Sequence, residues 1–423
     1  MPRFEPLNGD VDTNVLIVGG GLAGILCAYM LHQAGVDYVL VEADRICHGV
    51  TRNTTAKITV QHGLIYDKLS RQFGVERARL YWQANREALE TYRALCADMD
   101  CDFQEQDSYV YSLDRPEKLT RELAALKRIG CPSDIVRELP LPFATAGAVC
   151  IEKQAQFHPL KFAAHIAQGL NIFENTSVRA WEDATAQTKS GHIRARKVIL
   201  ATHFPQINIR GLYFLKLYQH RSYVLALENA PGIEGMYVDE CETGLSFREY
   251  NGLLLLGGGS HRTGKKGGGW AELAAFARKY YPGSGEVCRW ATQDCMTLDA
   301  VPYVGVHSAG KGNFYVATGF NKWGMTSAMM AATILCDLVQ GKQNRYAQLF
   351  SPSRSMLRPQ LAVNALESTV NLLTPTVPRC PHMGCALKWN RQERTWDCPC
   401  HGSRFTREGK LLDIPATKNL KQK

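Results

Sequence analysis

The densest group of chemically able side chains lies near the carboxyl end, in CPHMGCALKWNRQERTWDCPCHGSRF, which starts at Cys380. Cys380-x-His382 and Cys398-x-x-His401 stand fifteen residues apart. Thiolates and imidazoles in that mixture are metal ligands. One solution puts two thiolates on one iron of a two-iron cluster and two imidazoles on the other, the neutral ligands raising its potential. A single zinc held by all four is a second solution, and a site without metal a third; zinc has no use for the extra pair, Cys385 and Cys400. These are four of fourteen cysteines. The other ten lie singly between Cys27 and Cys336 without ligand spacing, as reduced core thiols do in a cytosol, so a cytoplasmic location is expected.

The second chemical pattern is at the amino end, VLIVGGGLAGILCAYMLHQAGVDYVLVE, starting at Val15. Gly19, Gly21 and Gly24 are spaced G-x-G-x-x-G between two short apolar runs, with a helical pattern following them. Gly19 permits a tight turn, Gly21 lets backbone approach a pyrophosphate, and Gly24 lets helix and strand pack closely. N–H groups at the helix start then face the phosphates. Glu42, eighteen residues past Gly24, sits where a carboxylate accepts from a ribose diol. The uncharged run 15–31 is short for a membrane span and carries four glycines, and Asp10 and Asp12 precede it where a signal peptide is basic. No membrane span is expected.

Other elements have to position these groups. A chain of 423 residues suggests two or three domains, and an apolar fraction of 45% is that of a globular protein. GVTRNTTAK, from Gly49, is small, hydroxyl-rich and basic, suited to closing over phosphates with Thr51, Thr54 and Thr55; an ordinary Thr-rich turn reads alike. Helices are expected over 67–100, 115–129, 157–169 and 327–339, and strands over 109–113, 175–180, 194–202 and 314–318. Ala201 and Thr202 fall at the carboxyl end of a strand, where doubly wound folds bind ligands. Segments 217–227 and 252–257 read as antiparallel strands of a different sheet. The triplet Gly257-Gly258-Gly259 has no third glycine at Arg262 and reads as a turn, not a second dinucleotide site. The net charge of +9 is uneven: from Arg379 onward ten Lys/Arg face four Asp/Glu, so this tail supplies +6. Such a patch suits an acidic redox protein. Nothing points to nucleic acid.

VGGGLAGI, VEAD, GVTRNTTAK, VILAT and ATGFNKWGMT occur in an order that resembles the D-amino-acid-oxidase and glycine-oxidase superfamily. The resemblance implies FAD, an α/β architecture with a Rossmann-like FAD-binding domain and an inserted antiparallel-sheet substrate domain, and hydride transfer from a carbon next to an amine. By analogy Gly19, Gly21, Gly24 and Glu42 bind the ADP half, Val178 lies on the adenine side, and Gly319, Gly324, Met325 and Thr326 meet the flavin end. Lys322 and Trp323 fall in that loop and are candidates to touch or gate the flavin. Arg221, Tyr223, Arg248 and His261, on or near sheet strands, are candidates to face the substrate; an Arg there would pair a carboxylate in bidentate fashion. The tail resembles a Rieske [2Fe–2S] module, which implies Cys380, His382, Cys398 and His401 as ligands and a Cys385–Cys400 clamp. It is shorter than Rieske domains usually are, so the connector or the flavin domain has to supply the base of that fold.

The expected organisation is an FAD-binding domain over 1–75, 150–205 and 296–350, a substrate domain over 76–149 and 206–295, a linker over 351–378, and a truncated Rieske-like β module over 379–423. The expected function is oxidation of a small amine or amino acid, with electrons relayed through the cluster to or from an external carrier. A plain oxidase with a vestigial or zinc-binding tail and a non-catalytic electron-transfer flavoprotein are the alternatives.

Overall fold

The structure, a computed structural model, describes residues 1–308 and 312–421; the last two residues expected in the tail module, 422 and 423, lie outside it. Strand Val11–Val18 leads through the glycine bend into helix Leu22–Gln33 and strand Tyr38–Val41. This right-handed unit is the centre of a sheet ordered Tyr303–Val306, Phe314–Thr318, His192–Leu200, Val11–Val18, Tyr38–Val41, Ile172–Phe173. The four central strands pair in parallel, and their residues 15–18, 38–41, 198–200 and 314–316 are apolar and buried. Helix Leu22–Gln33 packs with helix Gly324–Val339 in the largest core.

The second sheet runs Gly285–Thr297, Leu217–Glu228, Leu253–Arg262, Ser246–Tyr250, Met236–Asp239, Gln104–Ser112, Gly147–Gln156, Lys57–Ile58, and is antiparallel except where Met236–Asp239 meets Gln104–Ser112. Strands Lys57–Ile58 and Gly147–Gln156 thus cross into it from stretches flanking the first sheet. Helix Val75–Cys96 lies against Gly324–Val339, with the Tyr92 hydroxyl donating to the Met325 carbonyl at 3.0 Å. Four short antiparallel strands, Lys388–Asn390, Thr395–Asp397, Arg404–Thr406 and Leu411–Asp413, form the tail module. Helix Pro359–Leu373 occupies the connector.

Three local expectations change. Gly74, at φ 86°, divides the 67–100 stretch into helices Ile65–Phe73 and Val75–Cys96. Residues 175–179 are not a strand, which starts only at Ala180; Glu174 just before them and Thr176 within them accept from the backbone N–H groups of Ile46 and Leu7. The triplet Gly257–Gly259 lies inside strand Leu253–Arg262. A Cβ on Gly259 would stand 2.5 Å from the Gly269 carbonyl oxygen, so the missing side chains admit a second backbone instead of making a turn.

Candidate functional site

Gly19 holds φ 112°, and a Cβ there would stand 2.6 Å from the Ala201 carbonyl oxygen. A Cβ on Gly24 would overlap the Gly19 carbonyl oxygen. Gly21 differs, having only Thr51 Oγ1 within reach, at 3.5 Å, so its backbone is bare where a diphosphate approaches. The Thr51 hydroxyl accepts from the Leu22 N–H at 3.1 Å and ties the following loop to the helix start. The Glu42 carboxylate accepts from the N–H groups of Gly20 at 2.7 Å and Asp44 at 3.0 Å, and burial raises its pKa above the ordinary value. Ala201 closes the strand end, its N–H on the Val18 carbonyl at 2.8 Å, and the Thr202 hydroxyl turns back to the Phe204 carbonyl at 2.9 Å. Val178 is buried beside Val39 and Val41. These residues fit a dinucleotide: a side-chain-free bend, a helix start without acidic residues, and an acid at the end of the second strand.

The loop after Thr51 turns inward. Thr54 accepts from the Ala56 N–H at 3.0 Å, and Lys57 Nζ donates to the Thr55 hydroxyl at 3.3 Å. Arg248 lies beside it, donating from Nη1 to the Ala56 carbonyl at 3.3 Å, while its buried Nε has no partner. Burial, with Arg248 pulling the same way, brings Lys57 down to about 7, and burial brings Arg248 down to about 10. Among the described residues no carboxylate pairs with either cation, so this corner is prepared for an anion.

Gly319 holds φ 72° against Thr297, and Gly324 opens helix Gly324–Val339 with nothing within 4 Å of where its Cβ would stand. The Thr326 hydroxyl donates to the Thr59 carbonyl at 3.2 Å and meets His62 Nε2 at 3.0 Å. Trp323 stacks on His62 with centroids 5.1 Å apart, and Lys322 Nζ donates to the Glu242 carbonyl at 3.1 Å. Asp294 lies near Lys322, bonded to the Ser222 hydroxyl at 3.1 Å; burial raises its carboxyl, and Lys322 and His203 pull it back.

Of the four sheet candidates, only Arg248 adjoins the Thr54–Lys57 loop. Arg221 forks onto Glu393 of the tail, with Nε at 2.9 Å from one oxygen and Nη2 on the other. The Tyr223 hydroxyl donates to the same carboxylate at 2.9 Å, and His261 stacks on Tyr223 with centroids 5.6 Å apart. These three side chains therefore address the tail module. Arg404 completes the network, reaching Glu393 at 2.7 Å, Asp397 at 3.1 Å and Asp413 at 2.9 Å.

The two Cys/His loops of the tail come together, Cys380 against Cys398 and His382 against His401. Each ligand loop closes with a glycine N–H on the carbonyl of its first cysteine, Gly384 on Cys380 and Gly402 on Cys398, both at 2.9 Å. The His382 and His401 rings stand edge to face, 4.9 Å between centroids. Burial pulls their pKa values to about 4 and, with His382 adding to the effect on His401, about 3, so both are neutral, as ligands must be. His382 Nε2 faces Asn208 Oδ1 at 3.0 Å and His401 Nε2 faces the Phe214 carbonyl at 3.0 Å, whereas both Nδ1 atoms are buried without a partner. Two orphaned nitrogens on facing rings, in loops that also bring Cys380 against Cys398, fit a cluster with mixed ligation. Cys385 and Cys400 are adjacent free thiols, their sulfurs within 4.8 Å of each other and of Cys398.

Sequence reading missed Lys57, Asp294, Asn208 and Glu393. Lys57 had a signal, a cation ending a Thr-rich loop. Asn208 and Glu393 had none, because their partners lie more than 165 residues away.

Comparison with known proteins adds to this. A family model described as FAD dependent oxidoreductase (DAO) matches residues 14–338, and one described as Rieske [2Fe-2S] domain matches residues 367–423. The chain is 36% identical over 487 aligned positions to YhfW of Bacillus subtilis (strain 168), named for a Rieske 2Fe-2S iron-sulfur protein, covering 100% of this chain and 95% of that one. Gamma-glutamylputrescine oxidoreductase of Escherichia coli (strain K12) is 23% identical over 376 residues, 81% of this chain and 87% of its own. Glycine oxidase from Geobacillus kaustophilus superposes with a TM-score of 0.68 at 20% identity, over 82% of this chain and 99% of its own. Among the described residues no helix is long and apolar enough to cross a membrane.

Proposed function

The chain belongs to the DAO family of FAD-dependent oxidoreductases and ends in a Rieske [2Fe-2S] domain; on that premise we propose that it oxidises an amine or amino acid and relays the electrons through its cluster to or from an external carrier. Bound here, FAD would supply an acceptor for hydride from the carbon next to the amine, and a [2Fe–2S] cluster would supply a one-electron relay. The chain's own work is orientation. Gly19, Gly21, Gly24, Glu42 and Thr51 hold the nucleotide half; Thr54, Thr55, Ala201, Thr202 and the Gly319–Thr326 loop flank the ring end.

Lys57 and Arg248 supply an uncompensated positive corner beside that end, which favours a substrate bearing a carboxylate. Lys322 and Trp323 belong to the Gly319–Thr326 loop, with Asp294 near Lys322. The basic tail suits an acidic carrier protein.

One observation carries the relay. Phe204 packs its ring on both His382 and His401, at 6.4 and 6.3 Å, only three residues beyond Ala201, whose carbonyl backs the glycine bend. The two cofactor sites share one loop. Anaerobic addition of candidate amines and amino acids to the purified chain tests the reading. Flavin bleaching followed by the paramagnetic signal of a reduced Rieske cluster is the expected sequence. A bleached flavin beside a cluster that stays oxidised would leave a plain oxidase.

A further inference from the structure

A module of four three-residue strands is a small frame for two imidazole ligands. Its core is a handful of side chains, four of them the cysteines themselves. The histidines are held from outside it. His382 Nε2 meets Asn208 Oδ1, and His401 Nε2 meets the Phe214 carbonyl, both across the seam with the loop that follows strand His192–Leu200. Asn208 is 7% exposed, and its own Nδ2 donates to the Gln206 carbonyl at 3.3 Å, which leaves Oδ1 to accept. An imidazole whose Nε2 carries the proton presents a bare lone pair at Nδ1. Both Nδ1 atoms are buried without partners, in the loops that carry the buried Cys380 and Cys398.

Further contacts seat the same loops. Gln219 donates to the His401 carbonyl at 2.8 Å, Gln293 to the Gly402 carbonyl at 2.9 Å, and Arg262 Nε to the Pro399 carbonyl at 3.1 Å.

We propose that the chain outside the tail module completes the iron–sulfur site, with Asn208 as the positioning residue that fixes the tautomer, orientation and basicity of the ligand His382. The assignment rests on the cluster reading above. It also accounts for the shortness of the module: the support that a longer domain would build from its own strands comes from residues 204–219 and 293. An outer hydrogen-bond partner of this kind orients a ligand and raises its electron donation, and its loss typically costs about 10- to 100-fold in metal affinity.

The test uses the full-length holoprotein as wild type, Asn208→Leu and Asn208→Asp. Leucine removes the acceptor at similar volume; aspartate keeps an accepting oxygen and strengthens it. Iron released to a chelator over time, the cluster midpoint potential and its paramagnetic spectrum are read, with the flavin absorbance reporting an intact fold. Asn208→Leu is expected to lose iron about 10- to 100-fold faster and to raise the potential. Asn208→Asp is expected to retain iron and lower the potential, because added negative charge at the acceptor favours the oxidised cluster. Equal potentials and iron loss in all three proteins would overturn the assignment, and so would equal loss in both variants, since aspartate preserves the accepting oxygen. A wild-type chain without a cluster would instead refute the cofactor reading, and the assignment with it.

Discussion

At the scale of single residues, the Lys57–Arg248 corner makes the sharpest demands. Lys57 is charged below about 7 and neutral above it, so a carboxylate-bearing substrate loses one of its two cations as pH climbs through that value. KM for such a substrate is expected to rise across neutral pH in the wild type, and the step should vanish in Lys57→Met. Arg248 stays charged throughout that range, its pKa lowered only to about 10. Charge-assisted hydrogen bonds contribute about 1.5–3 kcal/mol, so Arg248→Ala should weaken binding about 10- to 100-fold, with little effect for amines that lack a carboxylate. Comparing KM for paired substrates with and without the acid group checks this. Gly24→Ala addresses the other cofactor face. Its methyl would overlap the Gly19 carbonyl oxygen, where overpacking costs about 1–3 kcal/mol, and purified protein should carry substoichiometric flavin.

At the scale of elements, the buried knot of Arg221, Tyr223, Glu393 and Arg404 fastens the second sheet to the tail. Burial raises the Glu393 carboxyl, but Arg221 and Arg404 outweigh it and hold the pKa below the ordinary value. The sign follows: this fastening is present above the ordinary carboxylate range and is lost as pH falls through the depressed value. Glu393→Gln should remove that acid-dependent step and, by leaving two guanidinium groups short of a partner, cost about 3–5 kcal/mol. Limited proteolysis that frees the tail while flavin stays bound would show it. The same knot marks where the sequence was legible and where it was not. The βαβ bend and the two ligand loops could be read because a turn, a helix start and a cysteine–histidine pair are set by residues a few positions apart. Arg221, Tyr223 and His261 could be placed on strands, but alternation along a strand does not say what covers its face. Here the tail covers it, 170 residues downstream. The glycine triplet at 257–259 misled for a related reason: missing side chains serve a turn or the approach of a second backbone equally well.

At the scale of the whole molecule, the proposed cofactor sites meet at one loop, Ala201 lying against the glycine bend and Phe204 against both tail histidines, so the relay proposed above runs within one chain. Reduction of the cluster by substrate should therefore be first order, unchanged by diluting the protein, and nearly insensitive to salt, because ions screen exposed charges far more than buried ones. Exchange with the proposed acidic carrier should slow steeply with salt if the surplus positive charge of the tail supplies the attraction. Stopped-flow traces at two ionic strengths separate the steps. The tail also has a mechanical role. It grips Gln219, Arg221 and Gln293 on one sheet and Asn208 and the Phe214 carbonyl on the loop leaving the other. A strap across that joint couples the second sheet to the loop leaving the first, so a disturbance of the tail loops is expected to be felt on both.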